Sequence, residues 1–169
     1  MWHRIRRIAR HRWLDEDDTR KAIPPQLAER LAARVAASER RHSGEIRIYV
    51  EAGLPLSYLW RDAGVRERAV AMFGKLRVWD TEHNNGVLIY LLLAEHAIEI
   101  VADRGLARRI EPGHWHAIVQ HMREAFRAGR FEDGLTQALE EVSALLVEHF
   151  PLQPGQANPN ELPDPPALG

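Results

Sequence analysis

The chain has 169 residues, 45% hydrophobic content, a formal net charge of −1 and no cysteine. That is enough for one domain with a real core and too little for two large ones. It excludes disulfide and thiolate chemistry, and the balanced charge argues against nucleic acid as a partner.

Residues 1–13 carry five Arg and two His, interleaved with Trp2, Ile5, Ile8 and Trp13. Helical spacing puts Trp2, Ile5 and Ile8/Ala9 on one face. Two uses fit such an arm: weak contact with an anionic membrane surface, or docking on the domain's own core. The basic N-terminus lacks the apolar stretch of a secretory signal. The longest apolar run is too short for a membrane span, so the expected location is the cytoplasm, peripheral to the inner face of the membrane. The acidic block Asp15–Asp18 reads as a solvated turn or a helix start, and residues 1–23 as an N-terminal arm.

The domain itself is expected over residues 24–150. Pro24-Pro25 opens a helix in which Leu27, Leu31 and Val35 form a buried stripe to about Arg41. Glu45–Glu51 alternates strictly and reads as a strand with Ile46, Ile48 and Val50 inward. Ser57 is a candidate N-cap for a helix running to about Leu76, with Val65, Ala69, Val70, Phe73 and Leu76 apolar.

Val87–Leu93 is seven apolar residues in a row, bounded by Asn84-Asn85-Gly86 and Glu95-His96. A short run between turn residues argues a strand buried on both faces. Ala97–Val101 reads as its antiparallel partner. The strand at 45–51 should lie parallel to 87–93 through a right-handed crossover. The fold class is therefore α/β, with a short mixed sheet that joins a parallel crossover to an antiparallel hairpin.

Beyond the hairpin, Arg104–Ile110 reads as a short helix interrupted by Pro112-Gly113. His114–Gly129 and Phe131–Phe150 read as two firm helices. Residues 151–169 hold six of the ten prolines and no apolar period, which predicts a disordered tail.

The hairpin also places chemistry. The start of its first strand lies beside the end of its second. Asp80, Glu82, His83, Asn84 and Asn85 should therefore approach Asp103 and Arg104. Asp80, Glu82, Asn84, Asn85 and Asp103 are oxygen donors of the kind that calcium or magnesium takes. Against that stands a plain turn, with Asn84-Asn85 bonded to backbone and Asp103 capping the next helix. For phosphate chemistry, Asp80 and Asp103 are the candidate nucleophile or ligand, and Arg104 a phosphate contact. No glycine-rich phosphate loop, Cys-x5-Arg or Asp-x-Asp pair accompanies them. His114, His116 and His121 lack the i,i+4 spacing of a zinc pair.

The chain resembles the TPM domain family over about Leu27 to Phe150. The marks are Ser43-Gly44-Glu45-Ile46, the Asn-Asn-Gly turn into Val87–Leu93, Ile98-Glu99-Ile100-Val101, and Ala128-Gly129-Arg130-Phe131. The resemblance implies an α/β/α sandwich and links the fold to acid-phosphatase activity and calcium binding. Many relatives carry Asp-Arg at the hairpin turn, where this chain has Glu95-His96-Ala97. From residues and resemblance together, the expected role is a non-catalytic accessory module with a protein partner at membrane-associated complexes. The alternative is a calcium- or magnesium-dependent phosphomonoester hydrolase.

Overall fold

The computed structural model describes residues 2–169, with side chains from Ile5 onward. The Trp2 side chain, expected on the apolar face of the arm, lies outside the described residues.

The helices are α1 (Trp2–Trp13), α2 (Glu16–Ala22), α3 (Pro25–Glu39), α4 (Leu56–Trp60), α5 (Val65–Lys75), α6 (Arg104–Ala107), α7 (Pro112–Arg127) and α8 (Phe131–His149). The strands are β1 (Ile46–Glu51), β2 (Val87–Leu92), β3 (Ala97–Ala102) and β4 (Ala167–Leu168), in the sheet order β3-β2-β1-β4. β1 runs parallel to β2 with Ile46 opposite Val87, and β2 runs antiparallel to β3 with Leu92 opposite Ala97. The expected crossover and hairpin are both present.

The sheet is covered on both sides, which makes an α/β/α sandwich. Val87, Ile89 and Leu91 pack with Leu31, Ile118, Leu139 and Val142 on the face covered by α3, α7 and α8. Leu88, Tyr90 and Leu92 pack with Leu59, Ala69 and Met72 on the face covered by α4 and α5. Every residue of β2 is buried. That is why its sequence is unbroken rather than alternating. The reversal into β3 is a 3-10 turn, Leu93–Glu95, closed by His96 at φ +49°.

Several expected boundaries shift. The helix expected from Ser57 to Leu76 is two helices, because Asp62 turns into the left-handed region and Gly64 restarts the chain as the N-cap of α5. Pro55, not Ser57, precedes α4, and Val70 is half exposed, its core place taken by Met72. Pro112-Gly113 does not interrupt a helix but begins α7, with Pro at its start, where a missing N–H costs nothing. Asp15 caps α2 in a reciprocal box with Asp18, and Ile23 just beyond is buried in the main core.

The segment 151–169, expected to be disordered, lies along the outer edge of β1. Leu162 is 7% exposed within the α4–α5 face core, and β4 pairs with Tyr49 and Val50. Asn158 Nδ2 donates to the carbonyls of His42 (2.9 Å) and Gly44 (3.1 Å), and Arg47 donates to Pro163 O at 2.5 Å. Proline removes donors but leaves every carbonyl. These carbonyls and one buried leucine hold a segment that lacks any apolar period.

Candidate functional site

The Asn-Asn-Gly loop and the end of β3 come together as a hairpin requires. Asp103 N donates to Gly86 O at 2.8 Å, and Gly105 N donates to Asn84 O at 2.9 Å. Asn84 takes the left-handed conformation, φ +51°, which asparagine tolerates well. A β-carbon on Gly105 would stand 2.4 Å from Asn84 O and 2.6 Å from His83 O. The two segments touch so closely that only glycine fits.

The side chains there are disposed unequally. Asp80 pairs with Arg77 at 3.1 Å and is half exposed. Glu82 and His83 are exposed, and the backbone N–H of Glu82 faces the Glu161 carboxylate at 3.2 Å. Arg104 is exposed in the first turn of α6. Asn85 is fully buried: its N–H donates to Thr81 Oγ1 at 3.1 Å and its Nδ2 to Ser43 Oγ at 3.2 Å. Asp103 Oδ1 accepts the Arg104 N–H at 2.6 Å, the capping role considered from sequence. Asn85 Oδ1 and Asp103 Oδ2 are buried acceptors with no partner. Among the described residues no three histidine or acidic side chains converge as a metal site. The oxygens left for a cation are those of Asn85 and Asp103. The histidines of α7 are engaged singly, His116 with Pro112 O and His121 with Glu141.

Three polar clusters lie elsewhere, and of these only the docking of the arm on the domain was expected from the sequence. Glu51 receives Arg68 (Nε to Oε2, 2.9 Å) and Tyr90 (Oη to Oε2, 2.6 Å), beneath the stacked Tyr49. Burial raises both phenols, Tyr49 to about 12. Strict alternation would put Glu51 on a wet face; α5 covers it instead. At the N-terminal end of β1, burial pushes Glu39 up to about 8 and also raises Glu45, whose Oε2 accepts the Leu162 N–H at 3.1 Å. Third, α1 is latched onto the C-terminal end of the sheet. Arg7 binds Glu95, Asp62 and Ala63 O, and His11 is buried against Leu54 and Glu95. Beside it, α1, β2 and the 3-10 turn flank an open apolar pocket of about 780 Å³ with Trp13, Phe126 and Phe131 at its walls.

The TPM domain matches residues 17–145. The fold is similar to the solution structure of the BA42 protein from the psychrophilic bacterium Bizionia argentinensis: TM-score 0.74, 25% identity, 85% of this chain and 93% of that one covered. It is also similar to the N-terminal domain of a P. gingivalis protein: TM-score 0.62, 20% identity, 76% and 81% covered. No curated protein matches the sequence. No described helix is long and apolar enough to cross a membrane. With three-quarters of its length matched and the sandwich in place, the chain belongs to the TPM domain family.

Proposed function

We propose that this TPM domain is a non-catalytic accessory module that presents its α1–α4 end to a protein partner at membrane-associated complexes. The observation behind the reading is the exposure of two tryptophans there: Trp13 is 88% exposed and Trp60 79%. Ile5 (54%) and Leu56 (53%) extend the same surface, since α1 packs on α4. Large aromatics left in water at one end of a domain mark contact surfaces, and tryptophan is the residue most enriched at binding hot spots. Arg6, Arg10 and Arg12 are exposed on α1, which suits the headgroup region of an anionic bilayer. A photo-crosslinker at position 13, used in membranes of the native host, should give discrete protein adducts. Yield no higher than from a crosslinker at the exposed Ala144 of α8 defeats the reading.

One observation favours a second reading, a calcium- or magnesium-dependent phosphomonoester hydrolase. Unpartnered buried acceptors such as Asn85 Oδ1 and Asp103 Oδ2 are uncommon and call for a cause. A bound divalent cation supplies one, with Asp80, Glu82 and Asn84 drawn inward as further oxygen ligands and Arg104 toward phosphate. Calorimetry separates the cases. This reading requires heat on adding Ca²⁺ or Mg²⁺, abolished by Asn85→Ala, together with phosphate release that falls in Asp103→Asn. Absence of heat at millimolar metal disposes of it.

A further inference from the structure

β3 is an edge strand, and its outer side opens into a groove of about 660 Å³ between α5 and α7. The register fixes which backbone groups face that groove. Asp103 N bonds Gly86 O, so the hydrogen-bonded positions toward β2 are 103, 101, 99 and 97. Ile98, Ile100 and Ala102 therefore turn their N–H and C=O groups away from β2; Ile98 is fully buried, and Ile100 and Ala102 are the two that line the groove. The Arg66 guanidinium confirms the parity, because Nη1 donates to Ile100 O at 2.5 Å. Among the described residues no group meets the outward N–H of Ile98, Ile100 or Ala102.

We infer that this edge takes up an extended acidic peptide segment of a partner protein as an additional strand. The two outward positions in the groove, Ile100 and Ala102, stand two residues apart, a spacing that an extended chain matches. The charge around them selects its chemistry. Arg66 and Arg123 line the groove, with His116, against a single carboxylate, Glu99, which Arg66 already engages at 3.3 Å. Arg123 forms no ion pair among the described residues. An acidic side chain on the incoming strand would draw Arg66 off Ile100 O and free the one outward carbonyl that is covered. Trp115 and Val119 give the other face of the strand an apolar wall. A second copy fits less well. Two-fold pairing of β3 with itself would set Arg66 and Arg123 against their own copies. The groove is also separate from the α1–α4 end, so the two contacts stand or fall independently.

The test uses the full ¹⁵N-labelled chain and a nine-residue peptide of alternating valine and glutamate, blocked at both ends. Amide hydrogen exchange is compared with that in the valine–lysine counterpart. At saturating acidic peptide the amides of Ile100 and Ala102 should slow at least tenfold, with no such change from the basic peptide. Arg66→Glu combined with Arg123→Glu, shown to keep β2 protected, should reverse that preference. Trp13→Ala should leave it intact. No slowing at millimolar peptide, equal slowing by both peptides, or protection confined to α1 and α4 overturns the inference.

Discussion

His11 Nδ1 accepts the backbone N–H of Leu54 at 2.9 Å, and that one bond fixes the state of the whole ring. Nδ1 must be unprotonated, so the proton sits on Nε2 and is donated to Glu95 Oε1, 2.9 Å away and 84 residues along the chain. Behind the ring the backbone approach is equally close. A β-carbon on Gly53 would stand 2.7 Å from His11 O. The basic arm is therefore held at the C-terminal end of the sheet by a neutral histidine as well as by the ion pairs of Arg7 with Glu95 and Asp62.

This makes the seating of α1 sensitive to acid. Burial lowers the His11 pKa from its ordinary 6.5, and the neighbouring Arg7 and Arg10 add to that against the opposing pull of Glu95. A histidine depressed in the folded state contributes stability that is lost as pH falls below 6.5, since the released arm then binds the extra proton. From pH 7.5 to 5.5, protection factors of residues 5–13, referred to the intrinsic exchange rate at each pH, should fall while those of β2 hold. His11→Ala should abolish that pH dependence and, by removing two buried hydrogen bonds, cost about 1–3 kcal/mol at pH 7.5. A uniform fall in protection across the whole chain contradicts the latch.

Glu39 titrates in the opposite sense. It is 4% exposed and its Oε1 accepts the Ile46 N–H at 3.0 Å, yet burial, with Glu45 and Asp164 nearby, lifts it from 4.5 to about 8. Between those values the folded chain keeps a proton that the unfolded chain has lost. Stability is therefore full below pH 4.5 and falls as pH rises toward 8. Glu39→Gln keeps an acceptor for Ile46 and removes the titration. It should be the more stable protein by roughly 3 kcal/mol at pH 9, with little difference at pH 5, read by chemical denaturation. A wild-type stability flat from pH 5 to 9 contradicts it.

These two residues show where reading from sequence stops. The strands, their pairing and the two-sided sheet are legible because burial writes a period into the chain. Val87–Leu92 has none, being covered on both faces, and Ile46, Ile48 and Val50 alternate. The hairpin likewise brings the Asn84–Gly86 loop to Asp103, as its geometry demands. Side-chain state is not written that way. Asp80 and Asp103 look alike in sequence, but Asp80 pairs with Arg77 in solvent and Asp103 caps α6. Glu39, Glu45 and Glu51 sit where periodicity or charge predicts water. What buries them comes from elsewhere: segment 151–169 lies over Glu45, and α5 brings Arg68 to Glu51. A cover that comes from a distant part of the chain leaves no mark near the residue it hides.

The close approach at Gly105 gives a local test of the candidate site. Any β-carbon there must push Asn84 O and His83 O away, and backbone cannot yield as a flexible side chain does. Gly105→Ala should cost at least about 2 kcal/mol and break the Gly105–Asn84 hydrogen bond. Gly113→Ala is the control, because nothing lies within 4 Å of a β-carbon at that position. It should be neutral or slightly stabilising, as helix propensity favours alanine by about 1 kcal/mol. Equal effects from the two substitutions would mean that the loop and the β3 end are not in contact.

Removal of residues 151–169 tests the other edge of the sheet. The segment buries Leu162, donates the Leu162 N–H to Glu45 Oε2, and pairs Gly169 with Val50 and Ala52. Losing one buried leucine costs about 2 kcal/mol and each lost hydrogen bond about 1 kcal/mol, partly recovered as Glu45 regains water. The chain ending at Phe150 should therefore unfold at lower denaturant by about 2–4 kcal/mol. It should also behave differently with concentration. β1 would present Tyr49, Val50 and Glu51 as an uncovered edge beside β2, and bare edges pair with one another. The other edge, β3, is flanked by Arg66 of α5 and Arg123 of α7, which resist such pairing, whereas β1 has only Arg47. Light scattering should find the shortened chain associating at concentrations where the full chain is monomeric. A shortened chain that is equally stable and monomeric would show that the segment only rests on the sheet.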